Sequence, residues 1–581
     1  MIKKLDNGIK WFLYIILGWI ICYLFLLSIF GTTAMGPAEL VIGVENSGEH
    51  AYYLPDIWGL QVFLLVCVLA ALYVFRRFVL PVIHIDQKWI SLGLCALFLI
   101  AGSILILTTQ MYPISDSRKI LRIAEGMVNG QYEEFRVNEG YLWRYPDQLG
   151  IIFFYYVVTL IAGERNYIVL QFINLIAAAG VGLIAKWTVE LLWGKSGWTG
   201  VGVQLLYYAF APFLLYTMYV YGTMLGFTFS FLAFYLELYF LKNRQWPYLI
   251  GAAFSIGLAV VFKTNSMVML VAMLIFLLYD IIMERKRRYA ITGIIMILLI
   301  QAVFTWGIHG FMSGKSGVEV SKGMPKLAWV AMALQNGGSA PGTWNGSSVS
   351  MFEESGYDYD KANQMAMESI RHSMERFMDD RSEALLWLGR KMAFQWNNPD
   401  FGSAEVLRNR EGNVPMPRFI KSLIYGKAYY QMTLVMNTLQ TVILAGCLFF
   451  FVLEDKKSSR EIFLPAVAFL GGFIFHIAWE AKSEYVLPYF LMLFPYSIRG
   501  LSLFLAFIRR VHQKKVNISK KRLISYGSVL GAGLLVLILL YPTRLIQYTI
   551  ALHDEPELCI LYEETVRESI RAVETDNREG M

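Results

Sequence analysis

Apolar runs of about twenty residues recur along this chain, with Lys and Arg gathered in short clusters between them, and no other feature restricts its fold as strongly. WISLGLCALFLIAGSILILTTQ, residues 89–110, is one of them. A helix rises about 1.5 Å per residue, so some twenty apolar residues cover the ~30 Å of bilayer hydrocarbon. No water reaches that layer, so the backbone of each run must satisfy its own hydrogen bonds, as a helix does. Candidate runs lie at roughly 11–30, 57–75, 89–111, 149–163, 167–187, 199–217, 222–241, 247–262, 265–283, 289–309, 431–453, 462–478, 485–507 and 523–542. A hydrophobic share of 56%, a charged share of 16% and a mean hydropathy of +0.49 agree with an all-α polytopic membrane protein.

Positive charge sets orientation. The clusters MIKK, Arg76–Arg77, KNR (242–244), ERKRR (284–288), EDKKSSR (454–460) and RRVHQKKVNISKKR (509–522) are expected on the cytoplasmic side. Counted from either end of the chain, segment 112–148 then falls outside, but the two counts agree only if one run between 149 and 200 does not cross. The short run 149–163, with Tyr155 and Tyr156 at its middle, is the best choice. It is expected to lie at the outer interface as a juxtamembrane segment. About thirteen spans result, with the N-terminus cytoplasmic and a mostly helical loop outside. The expected divisions are added N-terminal spans (1–88), a core (89–309) whose first external loop is 112–148, an external loop (310–430), C-terminal spans (431–542) and an external tail (543–581).

The net charge of +7 is spread through these topology-setting clusters, which makes nucleic acid an unlikely partner and membrane lipids the expected one. Four of the five cysteines lie inside apolar runs, so no disulfide framework is implied. The histidines show no metal-binding spacing. No cofactor is required by motif, no metal ligand is assigned, and dependence on a divalent metal stays open.

Several polar groups converge on the expected outer face. Asp116, in MYPISDSRKI, follows a span directly; an acid beside hydrocarbon is costly and is usually functional, although Ser115 and Asp116 would equally cap a helix. In YLWRYPDQLG (141–150), Tyr141, Trp143 and Tyr145 surround Arg144, offering rings for a sugar and a guanidinium for a phosphate, or an interfacial aromatic belt. HIAWEAKSEYVLPYF (476–490) crowds Trp479, Glu480, Lys482 and Glu484 into a short turn, fit to bind an anionic lipid at Lys482 or to form local ion pairs. VFKTNSM (261–267) sets Lys263 and Asn265 between two apolar runs, where the lysine can also snorkel to headgroups. Trp344, Asn345, Trp396 and Asn397 are weaker candidates in the long loop.

An external aspartate after a span, an apolar interfacial segment introduced by Tyr145-Pro146, and a span ending in a basic and aromatic turn together resemble the GT-C class of membrane glycosyltransferases. The likeness is to the branch of the protein mannosyltransferases and aminoarabinose lipid A transferases, and EAKSEYVLPYF (480–490) resembles a segment of Firmicutes enzymes of this kind. It extends over roughly 89–510. The resemblance implies transfer of a sugar, with inversion, from a polyprenyl-phosphate donor to an extracytoplasmic acceptor: a cell-wall polymer, glycolipid or protein. It further implies Asp116 as general base, Lys482, Arg144 and Lys263 for the donor phosphate, and Tyr141, Trp143, Tyr145, Trp479 and Glu480 for substrate. Two departures stand out: Asp116 is followed by Ser117 where that branch often has a second acid, and residues 1–88 have no counterpart. A flippase or transporter of lipid-linked glycan, or a non-enzymatic polymer-assembly protein, is the competing expectation.

Overall fold

The computed structural model describes residues 2–36, 50–136, 140–194, 198–283, 287–337, 340–404, 407, 414–425, 427–455 and 459–513. The expected span 523–542 and the tail 543–581 lie outside the described residues. The chain opens with α1 (Ile2–Phe30), an antiparallel hairpin of β1 (Gly31–Gly36) and β2 (His50–Pro55), α2 (Trp58–Val74) and α3 (Gln87–Thr109). Four shorter helices follow: α4 (Ser115–Val128), α5 (Glu133–Arg136), α6 (Tyr141–Arg144) and α7 (Leu149–Ala162). Then come α8 (Tyr167–Trp193), α9 (Thr199–Ala209), α10 (Ala211–Leu215), α11 (Thr223–Asn243), α12 (Trp246–Phe262), α13 (Met267–Met283) and α14 (Arg287–Ser316). The long loop folds as α15 (Lys326–Ala333), α16 (Ser347–Glu354), α17 (Tyr359–Asp379), α18 (Arg381–Trp396) and α19 (Arg418–Tyr425). The described chain finishes with α20 (Lys427–Leu453), α21 (Leu464–Ala478), α22 (Ser483–Leu491) and α23 (Phe494–His512).

Among the described residues, nine helices are long and apolar enough to cross a membrane, or up to eleven if each of two bent pairs is one span. The protein is thus α-helical and of polytopic membrane type, with one small hairpin that its sequence did not suggest. Two runs expected to be continuous are broken: 199–217 bends by 62° between α9 and α10, and 485–507 bends by 50° between α22 and α23. Proline is the cause, since it has no N–H and its ring crowds the carbonyl four residues back. Pro212 and Pro495 stand in the first turn after each break. The Leu491 carbonyl that Pro495 cannot bond accepts the Tyr207 hydroxyl at 2.7 Å, so the break leaves no orphan there. The two bends pack on each other: Phe494 lies 4.8 Å from Tyr207 and 5.2 Å from Phe210.

The bundle has two unlike ends. At one, Asp280 is clamped by Arg244 at 2.6 and 2.7 Å and by Arg460 at 2.7 Å, Tyr279 donates to Asp6 at 2.5 Å, and Lys242 reaches the Leu191 carbonyl. At the other end meet the close of α3, the start of α8, the close of α10, the start of α11 and the α12–α13 junction. Here α7 begins beside Tyr221, which Gln148 contacts at 3.3 Å. It finishes against α4, where the Arg165 N–H bonds Glu125 at 2.7 Å, so it starts and ends at the same end of the bundle. Its fourteen residues span about 21 Å, less than the hydrocarbon needs.

The long-loop helices cover this second end. The N-terminal hairpin docks on α18: Thr33 N–H bonds the Asn397 carbonyl at 3.0 Å, and Tyr53 donates to the Arg390 carbonyl at 3.2 Å. Asn397 in turn donates to Leu27 at 3.2 Å and Gly31 at 2.6 Å. The expected limits of the loop shift, because α14 continues to Ser316 and α20 starts at Lys427.

Candidate functional site

Asp116 lies in the first turn of α4, exposed, after Ser115 in a left-handed conformation with φ 49°. A helix-capping role does not hold: Ile114 occupies the N-cap position and no side chain caps the helix. The carboxylate instead accepts the Tyr221 hydroxyl at 3.3 Å. Burial, reinforced by Tyr141 and Asp116, keeps that phenol protonated far above its ordinary range, so it remains a donor.

Tyr221 sits on an irregular stretch between α10 and α11, where backbone groups lack helical partners. Two buried amides on α8 satisfy them. Gln171 donates to the Met111 carbonyl at 2.9 Å and the Met218 carbonyl at 3.1 Å; Asn174 donates to the Thr217 and Tyr219 carbonyls at 3.2 Å each. Gly222 completes the turn at φ 80°, and a Cβ there would fall 2.2 Å from the Phe262 carbonyl oxygen. Tyr221 and Lys263, which follows Phe262, are thereby held together: the ammonium lies 3.8 Å from the centre of the tyrosine ring.

Lys263 closes one end of a cavity of about 680 Å³. The far part of that cavity is apolar and runs between two span-length helices, along Val268, Val271 and Ile275 of α13 and Val467, Gly471 and Ile474 of α21. Its near part carries Asp147, Gln148, Tyr221, Lys263, Lys326, Trp329, Trp479 and Glu480. From Lys263 to Ile275 a rise of about 1.5 Å per residue gives a groove of roughly 18 Å. Lys326 is ion-paired with Asp147. Among the described residues Lys263 is ion-paired with Glu484, at 3.9 Å, whose Oε1 also accepts Thr223 at 3.1 Å and whose Oε2 has no hydrogen-bond partner among them. Burial pulls the Lys263 ammonium down to about 8, while Glu484 pulls it partly back. This cavity therefore offers an apolar lane that ends on a buried cation.

No family model matches the chain, and no curated protein does.

The other expected residues separate into three groups. Trp479 and Glu480 line the cavity, and Trp479 stacks between Phe475 at 5.0 Å and Trp329 at 6.2 Å. Asn265 lines it too, its carbonyl taking the Tyr489 hydroxyl at 3.1 Å. Lys482 lies outside the cavity lining, 5.9 Å from the Tyr485 ring that Lys263 approaches at 5.7 Å. Tyr141, Tyr145 and Arg144 line a separate, more open cleft together with Lys119, Glu133, Glu134 and Gly140. Arg144 is bound to Glu353 of α16 at 2.9 Å, which turns it toward the long loop and away from the Lys263 cavity. Trp143 packs among Met324, Phe352 and Ala362, where it builds the loop core. Tyr141 and Tyr145 lie close enough to Asp116 for its charge, after burial, to raise both hydroxyls, Tyr145 to about 12.

The weaker loop candidates serve other ends. Trp344 is half exposed, Asn345 closes a turn with Ser347, Trp396 is fully buried against Phe469 and Phe473, and Asn397 holds α1 to the hairpin. The flanking bases of Asp116 are also occupied: Arg118 lies over the Tyr112 ring at 5.6 Å, and Lys119 pairs with Glu134.

Sequence reasoning missed Tyr221, Gln148, Trp329 and the Lys326–Asp147 pair. For Tyr221 a signal existed, because YVYG places two hydroxyls and a glycine at the close of an apolar run. It also missed Lys391 of α18, fully buried with its ammonium on the Ala333 carbonyl at 2.7 Å. Burial draws that group down to about 7 and Glu480 draws it back up. Among the described residues, no group of three or more His, Cys, Asp or Glu is placed to hold a metal ion.

Proposed function

We propose that the protein is a membrane glycosyltransferase of GT-C type, moving a sugar from a polyprenyl-phosphate donor to an extracytoplasmic acceptor. One observation carries this reading: an apolar groove between α13 and α21 ends on Lys263, and Tyr221 links that cation to Asp116. The groove suits a prenyl chain entering from the bilayer, and Lys263 suits its phosphate. Lys482 stands behind Tyr485 as a second positive charge of the same region, whereas Arg144 belongs with the neighbouring cleft.

The chemistry then has defined roles. The acceptor hydroxyl oxygen attacks the anomeric carbon, the bond from that carbon to the phosphate oxygen breaks, and its electron pair leaves with the prenyl phosphate. Lys263 stabilises the negative charge on the departing phosphate. Asp116 takes the hydroxyl proton as general base, oriented by the Tyr221 hydroxyl. Attack opposite the leaving group inverts the anomeric centre and forms no sugar bond to the protein. Trp479, Trp329 and Glu480 form the wall against which the donor sugar rests.

The topology is part of the proposal. The basic end, with Asp6, Arg244 and Arg460, is taken as cytoplasmic and the Asp116 end as extracytoplasmic. Eleven spans counted with both bent pairs, the 17-residue helix Trp246–Phe262 and the 523–542 run give about thirteen. In this arrangement α7 is the juxtamembrane helix that does not cross.

Asp116→Asn tests the reading. Transfer from a labelled prenyl-phosphate sugar should fall at least a hundredfold, in line with loss of a general base (about 10²–10⁴), while yield and thermal unfolding stay as in the parent. Full transfer by that variant would remove Asp116 from the mechanism.

A further inference from the structure

The cleft beside Asp116 differs from the Lys263 groove in what builds it. It measures about 360 Å³, and its walls come from the short helices α4, α5 and α6, none of which is a span-length helix. The groove, by contrast, is walled by two such helices. A lipid needs an apolar lane open to the bilayer for its tails, since apolar surface left wet forfeits roughly 25 cal/mol for each Å², and no span-length helix leads into this cleft. Among the described residues, its large apolar surfaces are the rings of Tyr141 and Tyr145, 5.0 Å apart.

Its polar groups are set in place by the protein itself. Glu134 accepts the Tyr141 N–H at 2.7 Å and pairs with Lys119. Arg144 is steadied by Glu353, and its buried Nε has no hydrogen-bond partner among the described residues. Flat rings flanked by fixed carboxylates and a guanidinium give a polyhydroxylated ring a face to stack on and groups to bond. A file of aromatic rings also joins the two spaces: Phe475 to Trp479 at 5.0 Å, Trp479 to Trp329 at 6.2 Å, Trp329 to Tyr145 at 6.0 Å and Tyr145 to Tyr141.

We propose that this cleft is the acceptor subsite and that it takes a carbohydrate arriving from the aqueous side, not a lipid anchored in the bilayer. The inference rests on the glycosyltransferase reading above. A hydroxyl of that carbohydrate supplies the attacking oxygen, and its proton passes to the Asp116 carboxylate as the prenyl phosphate departs.

The test uses the full chain in lipid nanodiscs with a prenyl-phosphate sugar labelled in the sugar. The acceptors, offered separately, are the delipidated envelope fraction of the producing cell and its lipid extract. Label should pass, dependent on Asp116, into aqueous material that resists protease and does not partition into organic solvent. Tyr145→Leu should raise the half-saturating amount of that acceptor at least tenfold, leave that of the donor within twofold, and be rescued by Tyr145→Phe. Asp116-dependent label recovered in lipid or in protein overturns the acceptor class while the glycosyltransferase reading stands. An equal loss for both substrates in Tyr145→Leu overturns the subsite. No Asp116-dependent consumption of donor with either fraction overturns the reading beneath both.

Discussion

Lys263 should make donor affinity and folding stability move in opposite directions with pH. Its ammonium loses its proton at about 8 in the folded protein instead of 10.5, because burial outweighs the help of Glu484. Between those values the unfolded chain holds the proton and the folded chain does not, so stability increases as pH rises from 8 to 10.5, by about 3 kcal/mol at 1.36 kcal/mol per unit. A phosphate needs the charged form. The half-saturating donor concentration should therefore climb above pH 8, by about tenfold at pH 9. Turnover at saturating donor should change less, since a bound phosphate holds the proton on Lys263. The pair with Glu484 at 3.9 Å is worth about 4 kcal/mol at an effective dielectric of 20. Lys263→Met strands that buried carboxylate and should cost on the order of 3 kcal/mol. Adding Glu484→Gln should restore stability without restoring donor binding. Donor titrations and chemical unfolding of the purified protein between pH 7 and 10 measure both quantities. A donor affinity that is flat across that range, or unchanged in Lys263→Met, would refute the assignment of Lys263 to the phosphate.

Other outcomes follow from single contacts. Asp280 is 1% exposed and holds Arg244 and Arg460 together; Asp280→Asn should destabilise the protein by about 3–5 kcal/mol, seen as a lower unfolding midpoint, and a wild-type midpoint would show that the clamp contributes nothing. Gly222→Ala puts a methyl 2.2 Å from the Phe262 oxygen at φ 80°. It should cost about 1–3 kcal/mol and cut transfer at least tenfold, because Tyr221 and Lys263 flank that contact. Normal transfer by Gly222→Ala would mean that their spacing is not critical.

The helices were legible because the bilayer imposes a length, and a run of apolar residues between basic clusters shows that length directly. The two bends were not, although Pro212 and Pro495 were in view, since a proline inside an apolar run marks a helix start as readily as a kink. What decides is where the freed carbonyl goes, and Tyr207 lies 284 residues from Leu491. The site divides in the same way. Lys263 stood out as a charge between apolar runs, and Asp116 as an acid after one. Glu484 was visible in its turn, but its pairing with Lys263 depends on how α22 sits against the α12–α13 junction, 221 residues away. Arg144 was assigned to a phosphate from its aromatic setting, and Glu353, from a helix two hundred residues away, redirects it. Trp329 carried no local mark at all; its place in the ring file comes from docking of the long loop.

That docking also gives the N-terminal segment a physical role. The turn bearing Trp479 and Glu480 is too short to fix itself, and its Ala481 N–H bonds the Gly342 carbonyl at 2.8 Å. Gly342 in turn packs against Lys391 of α18. On the far side, α18 is gripped by the hairpin through Thr33, Tyr53 and Asn397, while Asp56 joins Thr32 and Asn437 at 2.8 Å each. Ala51 shares a small buried cluster with Ala340, Phe394 and Ala481. The polar wall of the cavity is therefore held from behind by residues 31–36 and 50–56, so the strand pair that precedes the second span bears on the geometry at Glu480 without touching the cavity.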